Sequence, residues 1–332
     1  SDYFSALKYT GTGSSNAITG VGFQPDMTWI KNRSQTDNHN LFDAIRGATY
    51  RIYPDDTSGQ DQATNSLASF DSDGFTLNDG GPVNGNGENI VGWNWKANGV
   101  GSSNSDGSTT ATVSVNTTSG FSMVYYNTGG SGTQSMGHGL GSAPELIITK
   151  PTQNTESWYV YSETLTNSNI LKLNATDASS SSGVYAYAPT ASVFSVSNSA
   201  IGGYTGVMSY CFKSIKGFSK FGSYSANNNV DGPFIYTGFA PAFVMIKMTN
   251  GSDSWFMYDN KRSPFNVRGK YLVADGTGAD SNADAFDFLS NGFKIRTTAS
   301  SFNGNGAEFI YMAFAENPFV ANVDGGLPVT AR

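Results

Sequence analysis

A single cysteine, Cys211, stands in a chain of 332 residues, so no disulfide can close within it. A catalytic cysteine would need a histidine partner, and only His39 and His138 are present. In the strand-like MSYCFK, Cys211 reads instead as a small buried hydrophobe. Charge is scarce as well: Asp, Glu, Lys and Arg make up 14% of the chain, against about 25% in ordinary soluble domains. The net charge is −7 and no basic cluster occurs. That argues against a nucleic-acid binder, because phosphate contacts need grouped Lys and Arg. No run approaches the roughly 18 apolar residues of a membrane-spanning helix, and SDYFSALKY lacks an apolar signal core. These absences predict a protein made in a cytoplasm and not inserted into a membrane. Helical periodicity is missing too, with no three-turn window of apolar residues at i, i+3, i+4 and i+7.

What is abundant is the material of strands and turns. There are 39 glycines, and aromatic residues reach 13%. Short β-prone runs such as MTWIK, FSMVYY, ELIITK, FVMIK and EFIYMAF alternate with turn-forming groups such as NDGGPVNGNGEN and GTGADSNAD. Apolar residues at 38% are enough to build a core, which excludes a disordered chain. Strands and turns at this density predict antiparallel β-sandwiches.

The strands recur in a pattern. Phe-Ser occurs at Phe4-Ser5, Phe121-Ser122 and Phe218-Ser219. A proline follows at Pro25, Pro144 and Pro241, and six residues after each comes Lys31, Lys150 or Lys247. The same prolines lie 50, 50 and 52 residues before Phe75, Phe194 and Phe293. Each copy closes with a glycine-bearing turn and an aromatic strand: VNGNGENIVGWNWK, SAIGGYTGVMSYCFK and FNGNGAEFIYMAFAE. Fixed anchors with drifting loops are what copies of one fold should show, since a few added loop residues cost little entropy. The expected organisation is three tandem antiparallel β-sandwich units of jelly-roll or lectin-like type. They cover residues 1–97, 120–216 and 217–319. A linker and lead-in strand occupy 98–119, and a C-terminal arm occupies 320–332.

Residues present in every copy are explained by folding each copy. The three lysines are expected to pack their stems at strand ends and blunt edge pairing. Asp43/Arg46 and Asp259/Arg262 hold matching places, with Ser162 and Leu165 in the middle copy. They read as partly exposed local ion pairs worth about 0–1 kcal/mol. Trp158, Trp255 and His39 align and read as core. Tyr185 and Tyr187 have no counterparts and lie in a variable loop, so they are the candidate ligand-binding residues, exposed for stacking on a sugar ring. The carboxylates Asp71/Asp73 and Asp275, Asp280, Asp284 and Asp287 do not complete a calcium loop. No metal, cofactor or catalytic residue is assigned. Function is sought where the copies disagree, at 51–66, 176–190, 275–287 and after Phe319.

The phrases GFSKFGSYSANNNVDGPFIYTGFAPAFVMIK (217–247), SWFMYDNKRSPFN (254–266) and YMAFAENPF (311–319) resemble a repeat family in virion proteins of marine tailed bacteriophages. HGLGSAPELIITK (138–150) and GFQPDMTWIKNR (22–33) share the likeness. The resemblance implies a virion location, tail more than capsid surface, and no chemistry. It leads to the expectation of a non-enzymatic tail-fibre or spike component that contacts host surface glycans. Its other partners would be virion proteins and further copies of itself, such as a trimer, although no heptad repeat supports one. The alternatives are a capsid decoration or head-fibre protein with no receptor, and a glycan-cleaving depolymerase.

Overall fold

The computed structural model describes residues 2–129, 132–166 and 169–316. The C-terminal arm expected at 320–332 lies outside the described residues. Among the described residues the chain is all-β apart from three four-residue helices, α1 (Gly81–Asn84), α2 (Asn198–Ile201) and α3 (Ser300–Asn303). Among the described residues no helix is long and apolar enough to cross a membrane.

The first segment contains β1 (Phe4–Thr10), β2 (Asn16–Thr19), β3 (Met27–Asn32), β4 (Asn40–Asp43), β5 (Tyr50–Arg51), β6 (Asp61–Gln62), β7 (Leu67–Asp71), β8 (Gly74–Leu77) and β9 (Asn89–Trp95). The second contains β10 (Ser102–Asn104), β11 (Ala111–Asn116), β12 (Phe121–Tyr126), β13 (Thr133–Gly137), β14 (Leu146–Pro151), β15 (Tyr159–Ser162), β16 (Asn169–Lys172), β17 (Ser180–Ser181), β18 (Tyr185–Tyr187), β19 (Val193–Ser197) and β20 (Val207–Phe212). The third contains β21 (Ser219–Ser225), β22 (Phe234–Tyr236), β23 (Phe243–Met248), β24 (Trp255–Asp259), β25 (Arg268–Val273), β26 (Ser281–Leu289), β27 (Gly292–Ile295) and β28 (Glu308–Phe314).

One antiparallel pairing order recurs. It reads β1-β9-β3-β4 in the first segment, β12-β20-β14-β15 in the second and β21-β28-β23-β24 in the third. A smaller layer covers one face of each: β2-β8-β7, β13-β19-β18 and β22-β27-β26. In the third segment β25 pairs with β26 and joins the two layers into one eight-stranded sheet. The stretch 98–119, expected as a linker and lead-in strand, supplies β10 and β11, which extend the second segment's sheet. It also covers β13, where the Thr109 N–H donates to Ser135 O at 3.0 Å. Gly107 has no side chain because a Cβ there would collide with the Ser135 carbonyl.

The larger sheets are buried on both faces, which explains continuous rather than alternating apolar runs in β3, β14 and β23. Alternate residues of each strand serve two cores. In the first segment Ile30 and Ile90 face β2 and β8, alongside Phe75 and Leu77. Met27, Trp29, Trp93 and Trp95 face the other way, into a core shared by all three segments. Leu146, Ile148, Met208 and Phe212 enter that core from the second segment, and Phe243, Met245, Met312 and Phe314 from the third. Cys211 points away, buried among Val124, Phe194 and Val207, as expected for a small hydrophobe. Burial pushes its thiol pKa up, so it is no nucleophile.

Two expectations are corrected here. Lys31, Lys150 and Lys247 do not blunt sheet edges, because β3, β14 and β23 are each paired on both sides. The pairs Asp43/Arg46 and Asp259/Arg262 are not partly exposed; their side chains are at most 1% accessible. The ion pairs are buried because a neighbouring segment covers them, Tyr210 over Asp43 and Trp93 over Asp259.

Candidate functional site

The recurring polar residues lie at the junctions between segments. Three backbone hydrogen bonds occupy matching places: Gln60 N–H to Thr152 O, Ser179 N–H to Thr249 O, and Asp280 N–H to Arg33 O. They run from first segment to second, second to third and third to first, so the contacts close a ring. The lysines sit beside these bonds. Lys150 Nζ donates to Thr57 O of the first segment at 2.8 Å, and Lys247 Nζ to Thr176 O of the second at 3.1 Å. Lys31 Nζ donates to Asn32 O at 2.6 Å and faces Asp280 of the third segment.

The aligned ring side chains, expected as core, are buried and cross the same junctions. Trp158 Nε1 donates to Tyr53 O at 2.7 Å, Trp255 Nε1 to Lys172 O at 2.8 Å, and His39 Nε2 lies 3.0 Å from Val273 O. Since Trp29 Nε1 donates to His39 Nδ1 at 2.7 Å, Nε2 carries the proton. Two residues beyond each accepting carbonyl is Asp55, Asn174 or Asp275. Each takes the backbone N–H of His39, Trp158 or Trp255. A short motif, Asp or Asn, any residue, then Thr, therefore lies at 55–57, 174–176 and 275–277. Sequence reasoning missed it because 16, 16 and 20 residues separate it from the aligned rings. Parts of 51–66, 176–190 and 275–287, sought as functional variable loops, are these shared staples.

Burial pulls Lys31, Lys150 and Lys247 each down to about 8, and nearby carboxylates restore only part of the loss. The unfolded chain keeps its lysines protonated to about pH 10.4. Between these values the unfolded state binds more protons, so stability rises as pH rises. Above about pH 10, unfolded tyrosines ionise while buried Tyr210, Tyr224 and Tyr258 hold their protons, because burial raises their pKa values. Stability then falls. Thermal melts should show Tm climbing between pH 8 and 10 and dropping beyond; a monotonic fall from pH 8 would contradict the burial of these ammonium groups.

The junctions are not equivalent. Tyr210 of the second segment donates to Asp43 of the first at 2.8 Å, and Trp93 of the first donates to Asp259 of the third at 3.2 Å. By alignment the third such position has Met312 in the third segment for the donor, and Ser162 and Leu165 in the second for the ion pair. Donor and ion pair are absent together. At this junction a groove of about 480 Å³ opens, lined by Leu165, Thr166, Asn169, Ser179, Asn250 and Glu308, with Phe309 and Ile310 buried behind it. A second hollow of about 200 Å³ adjoins it through Leu165 and Asn169, bounded by Tyr161, Glu163 and Tyr187.

The two candidate tyrosines both line the second hollow but differ in exposure. Tyr187 is 68% exposed and borders the second hollow. Tyr185 is 4% exposed, and its hydroxyl donates to Thr149 Oγ1 at 2.8 Å. It is a core residue and not an exposed contact. Residues two apart on a strand share a face, but a register shift falls between these two in their pairing with β19. That bulge turns one ring inward and leaves the other out.

The loop carboxylates are spread over local structural tasks. Asp73 accepts the Gly20 and Gly22 N–H groups, Asp71 the hydroxyls of Ser69 and Thr76, and Asp280 pairs with Arg33 and Arg262. Among the described residues no group of three or more His, Cys, Asp or Glu is placed to hold a metal ion. Sequence reading also missed Asn84 and Asn303, which end α1 and α3 and are fully buried. Asn303 Nδ2 donates to Asn229 O and Thr297 O while Oδ1 accepts the Asn227 N–H. Asn84 ties Ser14, Asn78 and Thr12 in the same manner. The shared Asn-Gly-Asn-Gly at 84–87 and 303–306 was the available signal.

The fold and junctions thus define an all-β protein whose three segments close on one another, with a groove at one junction. The chain belongs to the family described as "Domain of unknown function (DUF7483)", which matches residues 1–318. No curated protein and no solved structure matches it.

Proposed function

We propose that the chain is three tandem β-sandwich units forming a non-enzymatic structural protein of a tailed-phage virion, a tail-fibre or spike component that contacts host surface glycans. The virion half of this reading rests on the resemblance of its repeat phrases. The binding half rests on one observation: the open groove at the junction between the second and third segments, with the exposed Tyr187 on the hollow that adjoins it. Sugar rings stack their C–H faces on such aromatics while hydroxyls and amides pair with the rim. Single sugar contacts are weak, and presenting several copies on one particle would multiply them by roughly 10²–10⁴.

Purified protein should compete with phage for adsorption to host cells, and antibody labelling seen by electron microscopy should fall on the tail. Labelling of the capsid lattice with no competition would replace this reading with a capsid decoration protein. Release of oligosaccharide from host envelopes would replace it with a depolymerase.

A further inference from the structure

We infer that the groove between the second and third segments takes a neutral saccharide chain and rejects an anionic one. This rests on the glycan-contact reading above and adds the class of glycan and its place. The argument starts from the ring's own symmetry. Arg46 and Arg262 stand where the second segment has Leu165; both are buried and reach a neighbouring segment, Arg46 at Tyr210 and Arg262 beneath the Trp93 ring. Those two junctions are plugged by a long cation and its carboxylate. Ser162 and Leu165 are too short to fill the matching space, and the groove lies on Leu165. The opening therefore follows from the two substitutions that distinguish this junction.

The groove's chemistry fixes the ligand class. Its lining is mostly hydroxyl and amide, since Phe309 and Ile310 are buried beneath it; the half-buried Leu165 gives apolar contact to the C–H face of a pyranose, and Tyr187 adds an exposed aromatic face in the adjoining hollow. The rim offers hydroxyls and amides, which can each donate or accept with neutral sugar hydroxyls. Among the described residues no lysine or arginine lines either hollow; the charged groups that do are Glu308 and Glu163. Lys220 acts on Glu163 from outside the hollow, and less strongly than burial and Glu145, which disfavour a further negative charge there. A sugar carboxylate would enter beside two carboxylates and lose water without gaining a paired cation. The larger hollow falls within the roughly 300–1,000 Å³ of small-molecule sites.

The test uses the full chain against an array of neutral oligosaccharides of glucose, galactose, mannose and N-acetylglucosamine, with trigalacturonate and sialyl-lactose as anionic probes. At least one neutral probe should bind, at least tenfold more tightly than either anionic probe. Ser162→Asp with Leu165→Arg, which restores the plug of the other two junctions, should abolish that binding while circular dichroism stays unchanged. Tyr187→Ala, on an exposed side chain, should weaken it tenfold without affecting folding. Equal or tighter anionic binding, no neutral binder, or unchanged affinity in both variants would overturn the inference. Protein that fails here yet blocks phage adsorption would leave the attachment reading standing. Protein that binds neutral sugar here but never blocks adsorption would sink the attachment reading alone.

Discussion

Asp259→Ala should lower the unfolding free energy by about 3–5 kcal/mol, the usual cost of removing one partner from a buried ion pair. Asp259 is fully buried and accepts from the Arg262 side chain, from the backbone N–H groups of Lys261 and Arg262, and from Trp93 Nε1. Burial opposes its ionisation, but the Arg262 guanidinium and these donors overcome it and hold the carboxyl below its usual range. Without the carboxylate, Arg262 keeps Asp280 and Met257 O, and the Trp93 N–H faces a void. The loss should appear in urea as a lower midpoint with an unchanged slope. The protein's own third junction suggests the rescue. Asp259→Ser with Arg262→Leu, the pair found at that junction, should cost less than Asp259→Ala, because it removes carboxylate and cation together and leaves no charge buried alone. A cost below 1 kcal/mol for Asp259→Ala would show that water reaches this pair. The sign with pH is fixed as well: a folded pKa below the unfolded value of about 3.9 gives stability above it that is lost as pH falls through the folded value. Acid unfolding of the variant should therefore be shallower than that of the parent chain.

Phe314→Ala should cost about 3–5 kcal/mol, as for other buried Phe-to-Ala changes, and should lower the stability of the whole chain at once. The Phe314 ring lies 5.1 Å from Phe4, 5.7 Å from Trp95, 6.0 Å from Phe212 and 5.7 Å from Phe221, centroid to centroid. Those rings come from all three segments. Deleting one member leaves a cavity that none of the segments can close by itself. Calorimetry should show a single transition moved to lower temperature. Two separate transitions, with the first segment melting as in the parent chain, would mean that the segments are independent domains sharing only a surface.

The strand-forming runs and the spacing of Pro25, Pro144 and Pro241 made the all-β class and the recurrence legible, because both depend on local pattern. Burial of the lysines was not legible, because it depends on carbonyls such as Thr57 O, which sits 93 residues from Lys150. The same distance hid the purpose of Trp158: the indole reads as core from its alignment, but Tyr53 O lies 105 residues away. Tyr185 and Tyr187 misled for a different reason. Nothing in VYAYAP announces a bulge, so two residues that should share a face part company. The groove was half visible: Ser162 and Leu165 stood out as the copy lacking Asp and Arg, but an absence becomes an opening only when the neighbouring segment is in place.

The closed contacts also bear on stoichiometry. Three identical separate chains joined by the same head-to-tail contacts would form a ring that comes apart on dilution, and every junction would have to be alike. Here covalent linkage holds each segment near its neighbours at an effective concentration that does not fall as the protein is diluted. It also lets one junction change while the other two keep their plugs. A ring of separate subunits would open at three places or at none; a ring on one chain can open at one.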